Sequence, residues 1–289
     1  MPATPEQIAA DYLVGLLPAT RAAYRTTLQS WWTWCDLHRL HPLTDVRRVH
    51  IEMWGRYQHE ILGLELRTVA SRFTPVCGFY DYAHAEGHIP SDPGARVRRP
   101  RIKRGSTGSW LTRDQLIAFL AAATGHRHPT VPALAHLLAL SGLRIGETLA
   151  LDIGDVGTHR GLTTLALDRK GHHKHLISVP AATAATLPAV IDGRDRGPLL
   201  RGLTGARLTG DAARAIVADL GRRAGADRTI TPHSLRRTFV TLALDAGVGD
   251  RDIMASTGHT SPEMIWHYDM ARAAVERNAG HQLADWLGR

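Results

Sequence analysis

Apolar residues recur every three or four positions through most of the first ninety residues, the spacing at which side chains share one face of an α-helix. The first helix is predicted to begin at Thr4, whose hydroxyl can cap it, with Pro5 at its first position. A second, longer helix repeats apolar residues at Tyr24, Leu28, Trp31 or Trp32, and Cys35. Two more helices are predicted, one after the turn at Pro42 and one that ends at Gly87. This half therefore has the pattern of a four-helix domain, with the tryptophans of WWTWC in its core.

The second half has a mixed pattern. A helix capped by Thr112 and another ending at Gly142 are followed by GLTTLALDRKGHHKHLISVP, whose alternation predicts a β-hairpin with Lys170 and Gly171 near its turn. The rest is predicted to be helical, at about 182–192, 208–223, 232–246, 249–257 and from 261 onward. The predicted fold class is mainly α with a small β-sheet.

A segment rich in proline, glycine and arginine separates the two halves. We predict a helical domain over residues 1–95, a basic linker over 96–109 and a mixed α/β domain over 110–289. Six cations and no acid lie in ARVRRPRIKRG: Arg96, Arg98, Arg99, Arg101, Lys103 and Arg104. With a net charge of +8 and an isoelectric point near 10.1, the chain is expected to bind a polyanion. The segment is either a solvated linker or a strap that touches phosphates.

Composition excludes several other classes of protein. No apolar run reaches the roughly 18 residues of a transmembrane helix, and the first residues lack the layout of a signal peptide. Cys35 and Cys77 are far apart, which argues against a disulfide framework or a thiolate metal site, so a reducing cytoplasm is the expected location. The histidines of GHHKH are typical of an exposed hairpin, and no metal site is predicted.

Two short segments carry candidate chemistry. In TPHSLRRTF, His233 and Arg236 lie one helical turn apart, with Arg237 beside them, so an imidazole and a guanidinium can reach one small target. In LSGLRIGET, Arg144 follows a break after an apolar helix, and Glu147 is placed to hold its guanidinium. Taken alone, the first pattern favours the polar side of a surface helix, and the second is also typical of an ordinary helix ion pair.

The last motif is TGHTSPEMIWHY. Gly258 suits the end of one helix and Pro262 the start of the next, so His259 is predicted to lie in a tight corner between them. Tyr268 follows about two turns into the second helix. Lys170, or alternatively Lys174, can extend a long cation from the hairpin into a neighbouring cleft.

In this order, SGLRIGETLAL, RKG, HSLRRTF and TGHTSPEMIWHY resemble the motifs of the tyrosine recombinases, the phage integrase family. The first half, with WWTWC and GHIPSDPGARVRRP, resembles the helical, SAM-like core-binding domain of that family, so the resemblance covers nearly the whole chain. Two departures are mild, because Arg237 stands where a histidine is common and GHTS replaces the commoner GHSS.

The resemblance implies a site-specific DNA recombinase that cleaves and rejoins strands through a 3′-phosphotyrosyl intermediate, without cofactor or metal. In that family, two guanidiniums stabilise the oxygens of the scissile phosphate and a tyrosine phenol attacks its phosphorus. Other side chains nearby transfer protons or hydrogen-bond the phosphate. The implied catalytic residues are Arg144, Lys170, His233, Arg236, His259 and Tyr268, with Glu147 in support. Lys170 would protonate the leaving oxygen, His233 would accept a proton or position the phosphate, and His259 would hydrogen-bond the phosphate.

The implied partners are double-stranded DNA, clamped between the two domains, and further copies of the chain, up to a tetramer on paired sites. An accessory DNA-bending or directionality factor is compatible with this chemistry. The tail carries Val275, Leu283, Trp286 and Leu287, which either dock on a neighbouring subunit or pack within the chain. The chain begins almost at the first predicted helix, so the extra arm-binding domain of larger integrases is not expected. A type IB topoisomerase-like enzyme and a non-catalytic DNA-binding protein are the alternatives.

Overall fold

The protein, described by a computed structural model over residues 3–101, 109–169, 173–265 and 287, divides into two compact units, Met1–Arg104 and Gly105–Arg289. Helices dominate both, and one small sheet lies in the second, which confirms the predicted fold class. Over these described ranges, no helix has both the length and the apolar character needed to cross a bilayer.

Over its described residues, 3–101, the first unit contains four α-helices, as the apolar spacing predicts. They are α1 (Pro5–Val14), α2 (Pro18–Leu37), α3 (Arg48–Arg56) and α4 (Leu66–Ala85). The predicted start of α1 is confirmed, because the Thr4 hydroxyl accepts a hydrogen bond from the Gln7 backbone N–H and Pro5 occupies the first helical position. A single π-helical turn, Tyr57–Ile61, extends α3.

The tryptophans of α2 form the core of this unit, as predicted. Trp31 is fully buried, and its ring stacks on that of Trp34 with a centroid distance of 5.3 Å. Its indole N–H donates to the Tyr80 hydroxyl at 3.0 Å, and that hydroxyl donates to the Pro42 carbonyl at 3.0 Å. This chain of bonds satisfies the buried polar atoms that connect α2, α4 and the loop before α3.

The second unit is built around α6, which is buried on nearly all sides. Its helices are α5 (Arg113–Thr124), α6 (Thr130–Leu140), α7 (Ile145–Ala150), α8 (Ala181–Ala184), α9 (Leu187–Ile191), α10 (Gly210–Arg223), α11 (Pro232–Asp245) and α12 (Asp250–Thr257). One prediction is wrong: the single helix expected over 182–192 is two short ones. Pro188 has no N–H to donate to a carbonyl four residues earlier, so the helical ladder is interrupted there.

The sheet has three antiparallel strands in the order β1 (Val156–His159), β2 (Leu162–Arg169) and β3 (His173–Ser178). The predicted hairpin is confirmed as β2 and β3, which pair Leu165 with Ile177. Its turn, with Lys170 and Gly171, lies outside the described residues. β1 was not predicted, because it is only four residues long and shows no buried alternation.

The start of the second unit is fixed along α11. Ser109 shares a hydrogen bond with Ser234 at 3.1 Å, and the Leu111 N–H donates to the Thr238 hydroxyl at 2.9 Å. Between them, the Trp110 ring lies 5.6 Å from the Arg237 guanidinium carbon, within reach of a cation–π contact. The first residues of this unit therefore hold the helix that carries Arg236.

A small separate cluster joins α11 to α12 and the residues that follow it. Val240, Ile253 and Ile265 are each buried to 1% exposure or less. The cluster fixes the end of α12 against α11, so that the corner at residues 257–259 faces the beginning of α7.

Candidate active site

Gly142 marks the place where α6, α11 and α12 meet. Its φ of +60° lies in the left-handed region that favours glycine. A Cβ at this position would lie 2.5 Å from the Phe239 ring and 3.0 Å from the Thr257 methyl group. The close approach leaves the Gly142 carbonyl directed at the side chain of Arg236.

Arg236 is a buried cation held at two points. Its side chain points inward from α11 and the residue is only 3% exposed. One guanidinium nitrogen, Nη1, donates to the Gly142 carbonyl at 2.6 Å, and the other, Nη2, lies 2.9 Å from Nε2 of His259. A polar face of a surface helix is therefore excluded for this part of α11, since Arg236 and Arg237 are both buried.

His259 lies in the corner after α12, as predicted, and both ring nitrogens have partners within the chain. Nε2 faces Arg236, and Nδ1 lies 2.9 Å from the Thr257 hydroxyl. Burial, and after it the nearby guanidiniums of Arg236 and Arg144, together lower the pKa of His259 to about 4. The imidazole is therefore neutral near neutral pH.

Arg144 caps α7, and Glu147 binds it twice. The Arg144 backbone N–H and Nη1 each donate to a different oxygen of the Glu147 carboxylate at 2.9 Å. The ion pair expected from the spacing is thus present, and it is more enclosed than an ordinary surface pair because the Glu147 side chain is only 8% exposed. The same guanidinium reaches the Thr257 and Gly258 carbonyls at 3.5 and 3.4 Å.

Arg169, the last residue of β2, is the third cation of the site. Its side chain is 10% exposed, and Nε lies 3.4 Å from the Glu147 carboxylate. Its Nη2 donates to the Ser256 carbonyl at 2.8 Å and its Nη1 to the Ala255 carbonyl at 3.4 Å. Arg144 and Arg169 therefore share one carboxylate and together satisfy carbonyls at the C-terminal end of α12, where a helix attracts cations.

These side chains border an open cleft of about 870 Å³. Its lining includes three arginines, Arg144, Arg169 and Arg251, against two acids, Glu147 and Asp168. With Arg236 beneath His259, the cations outnumber the carboxylates. Such a cleft is suited to an oxyanion, because guanidinium forks match the oxygens of a phosphate or carboxylate.

The other predicted site residues are placed as follows. His233 lies in the first turn of α11 with solvent contact, and partial burial together with the Arg237 and Arg236 guanidiniums lowers the pKa of its ring. Lys170 and Tyr268 lie outside the described residues. Lys174, the alternative to Lys170, forms an ion pair with Asp155 at 3.1 Å, which directs its ammonium to the turn before β1.

Part of the basic segment belongs to the first unit. Arg96, Arg98, Arg99 and Arg101 are all exposed. The Arg98 backbone N–H donates to the Glu52 carboxylate at 3.1 Å, so the segment is anchored on α3 while its cations remain open to solvent. Lys103 and Arg104 lie outside the described residues, as does the predicted tail except for Leu287, which is exposed.

Sequence reasoning missed two residues of this site, Arg169 and Thr257. Arg169 directly precedes Lys170, and its position at the end of an alternating strand was the available signal. Thr257 had no such signal, since a buried threonine at the last position of a helix is ordinary; its relation to His259 depends on the turn at Gly258.

We expect Glu147→Gln to lower the free energy of unfolding of the second unit by about 2 kcal/mol, because the nearly buried Arg169 loses its counter-ion. Asp219→Asn is the matched control, since Asp219 also joins two arginines, Arg222 and Arg223, but on the surface of α10. That change is expected to cost less than about 0.5 kcal/mol. Denaturant unfolding, with hydrogen exchange to identify the second unit, measures both. Equal costs would contradict the inferred role of the shared carboxylate.

Gly258→Ala tests the close contact between the corner and β2. Gly258 has a φ of +69°, and a Cβ there would lie 2.7 Å from Nη1 of Arg169. Gly247 has a similar φ of +78° but nothing within 4 Å, so Gly247→Ala isolates the backbone cost of about 1 kcal/mol. We expect Gly258→Ala to cost about 1 kcal/mol more in the same unfolding experiment, because Arg169 must release carbonyls of α12. If both variants lowered the free energy of unfolding by the same amount, Arg169 would be able to move aside without losing stabilising contacts.

Comparison with known proteins places this site in a family. The sequence profile described as the phage integrase family matches residues 109–274, which include the described site residues above. The tyrosine recombinase XerC of Corynebacterium efficiens is 30% identical over 87% of this chain and 81% of the relative. The tyrosine recombinase XerD of Caulobacter vibrioides is 31% identical over 86% and 87%. A crystal structure of a lambda integrase dimer bound to a core site superposes with a TM-score of 0.71, at 19% identity over 91% of this chain and 97% of that one. The chain therefore belongs to the phage integrase family.

Proposed function

We propose that this protein is a site-specific DNA recombinase that cuts and rejoins strands through a 3′-phosphotyrosyl intermediate. The observation that carries the proposal is the convergence of three side chains from separate elements: Arg144 and His259 line the cationic cleft, and Arg236 contacts His259. Family membership and the XerC and XerD relatives support the same activity.

The first chemical step is an in-line displacement at phosphorus. The Tyr268 oxygen forms a bond to the phosphorus of the scissile phosphodiester, and the bond from phosphorus to the 5′ oxygen breaks. Negative charge grows on the nonbridging oxygens, where the guanidiniums of Arg144 and Arg236 stabilise it. Because the cations are already fixed by Glu147, Gly142 and His259, little reorganisation is needed during the reaction.

Two protons must move in this step. A free phenol has a pKa near 10, so Tyr268 needs a base, and His233 is the candidate because its lowered pKa keeps the ring neutral. The departing 5′ oxygen needs an acid, for which we propose Lys170, since Lys174 is paired with Asp155. His259 contributes by holding Arg236, and its contact with the phosphate itself stays a prediction.

The covalent link explains how the strand is resealed without an external energy source. One phosphate ester replaces another, so the bond energy is retained. A 5′ hydroxyl from the same or a second duplex can then attack the phosphotyrosine and release Tyr268. An enzyme that activated water instead would end with a broken strand.

The proposed partner is double-stranded DNA. We assign core binding to residues 1–95, phosphate contacts to the exposed arginines of the basic linker over 96–109, and catalysis to residues 110–289. Exchange between two duplexes requires four active sites, so we propose a tetramer on paired sites. The lambda integrase structure above is of a dimer on a core site, which is compatible with such assembly.

The test begins with a randomised duplex pool, from which the protein selects its binding sequence. The selected duplex is then nicked at successive positions, so that a short 5′-hydroxyl fragment can diffuse away after cleavage and trap the covalent complex. We expect a protein–DNA band on a denaturing gel, with the nucleotide attached to the tryptic peptide 252–272, whose single tyrosine is Tyr268.

Each alternative has its own outcome in this test. Tight sequence-specific binding without a covalent band at any nick position would overturn the proposal in favour of a non-catalytic DNA-binding protein. Relaxation of supercoiled plasmid that lacks the selected site, without recombinant products, would instead favour a type IB topoisomerase-like enzyme.

A further inference from the structure

Thr257 has no part in the chemistry proposed above, yet it makes the most enclosed polar contact of the corner. Its side chain is fully buried, and its hydroxyl lies 2.6 Å from the Ile253 carbonyl and 2.9 Å from Nδ1 of His259. A hydroxyl has one proton to donate. The Ile253 carbonyl can only accept, so it takes the Thr257 proton, and the hydroxyl oxygen must accept from His259.

The opposite side of the ring leads independently to the same assignment. Arg236 carries N–H donors and no acceptor, so its Nη2 must donate to a lone pair on Nε2 of His259. The proton of a neutral imidazole therefore lies on Nδ1, where the Thr257 oxygen receives it. One tautomer satisfies both contacts, and the other would place an N–H donor of His259 against an N–H donor of Arg236.

We propose that Thr257 is a positioning residue that fixes the tautomer of His259 and thereby the orientation of the Arg236 guanidinium. The sequence of bonds runs from the Ile253 carbonyl through Thr257 and His259 to Arg236, and it ends at the Gly142 carbonyl. Two acceptors, the Gly142 carbonyl and Nε2 of His259, thus set the orientation of the Arg236 guanidinium.

The surroundings of His259 make this contact more important. Besides Arg236, the charged or titratable groups of the described ranges that act on its ring include Arg144, Arg169 and His233. All of them disfavour the imidazolium, so the ring stays neutral even when one of its nitrogens loses its hydrogen-bond partner. Without an acceptor at Nδ1, it divides between its two neutral tautomers, and the Arg236 contact is lost in one of them.

Thr257→Val and Thr257→Ser separate the hydroxyl from the shape of the side chain. Valine matches threonine in volume but offers no acceptor, whereas serine keeps the hydroxyl and removes a methyl group. Thr130→Val is the matched control: that buried hydroxyl donates to the Arg201 carbonyl at 2.7 Å, away from the residues of the site. It reports the effect of losing a buried threonine hydroxyl on the unit in general.

The first measurement is the tautomer in the full-length free protein. Long-range ¹H–¹⁵N correlation of histidine-labelled protein, with the His259 signal assigned by His259→Gln, distinguishes Nδ1–H from Nε2–H. We expect Nδ1–H in the wild type, Thr257→Ser and Thr130→Val, and a mixture in Thr257→Val. Nε2–H in the wild type, or Nδ1–H alone in Thr257→Val, would overturn the proposal.

The second measurement is single-turnover cleavage of the selected nicked duplex, which rests on the proposed function. Loss of one buried hydrogen bond predicts that Thr257→Val cleaves about five- to tenfold more slowly, while Thr257→Ser and Thr130→Val stay within about twofold of the wild type. Cleavage by Thr257→Val at the wild-type rate would overturn the positioning role. If the wild type itself formed no covalent complex, the proposed function would fail, and the tautomer measurement would still decide the assignment of Thr257.

Discussion

Replacing Tyr268 by phenylalanine is expected to abolish the covalent protein–DNA complex while DNA binding is retained. The change removes one oxygen atom, the proposed nucleophile, and leaves the ring that any packing contact would use. Loss of the nucleophile in a covalent mechanism lowers the rate by about four orders of magnitude or more. The measurement is single-turnover cleavage of the selected nicked duplex, with binding followed in parallel by gel shift.

Tyr57→Phe provides the control, because this tyrosine lies in the π-helical turn of the first unit. It is expected to cleave at the wild-type rate. Covalent complex formed by Tyr268→Phe would show that another residue attacks the phosphorus. Loss of both binding and cleavage would be uninformative by itself, so the variant is compared with the wild type by hydrogen exchange to establish that α11 and α12 are intact.

Arg236→Lys is expected to lower the rate of cleavage by about 10²- to 10³-fold. The substitution keeps the charge but loses the planar fork. The Arg236 guanidinium contacts the Gly142 carbonyl and His259 through different nitrogens, and a single ammonium on a flexible chain cannot make both contacts together. The change also leaves His259 or Gly142 without its donor inside the unit.

The control for this variant is Arg223→Lys at the end of α10, where the guanidinium pairs with Asp219 on the surface. Wild-type cleavage is expected there. If Arg236→Lys bound the selected duplex and cleaved it at the wild-type rate, the proposed stabilisation of the transition state by a bidentate guanidinium would be refuted. The comparison is made at saturating protein, so that a difference in rate reflects chemistry rather than affinity.

Local sequence relations were sufficient to predict much of this structure. Thr4 and Thr112 cap α1 and α5 as expected, since a threonine hydroxyl followed by a polar side chain three residues later satisfies the first free N–H groups. The contact between Arg144 and Glu147 likewise follows from a three-residue spacing. In such cases the partners are neighbours in the chain, so the helix geometry alone brings them together.

Relations between distant segments could not be derived in this way. The bond from Arg236 to the Gly142 carbonyl spans 94 residues, and the one from Arg169 to Ser256 spans 87. The residue types of the site came from resemblance to a family, whereas Arg169 and Thr257 were missed because their role depends on how β2 and α12 approach each other. β1 was missed for a related reason, since its pairing with β2 rather than its own pattern defines it.

The burial of Ile265 limits the distance that Tyr268 can travel. Ile265 is fully buried against Val240 and Ile253, and only three residues of chain connect it to Tyr268. Even fully extended, this tether spans about 11 Å. A phenol that crossed to the cleft of a second subunit farther away would have to pull Ile265 into water, at a cost of about 2 to 3 kcal/mol. While Ile265 stays buried, the proposed nucleophile is held within this distance of its own polypeptide, so we expect each protomer to cleave in cis.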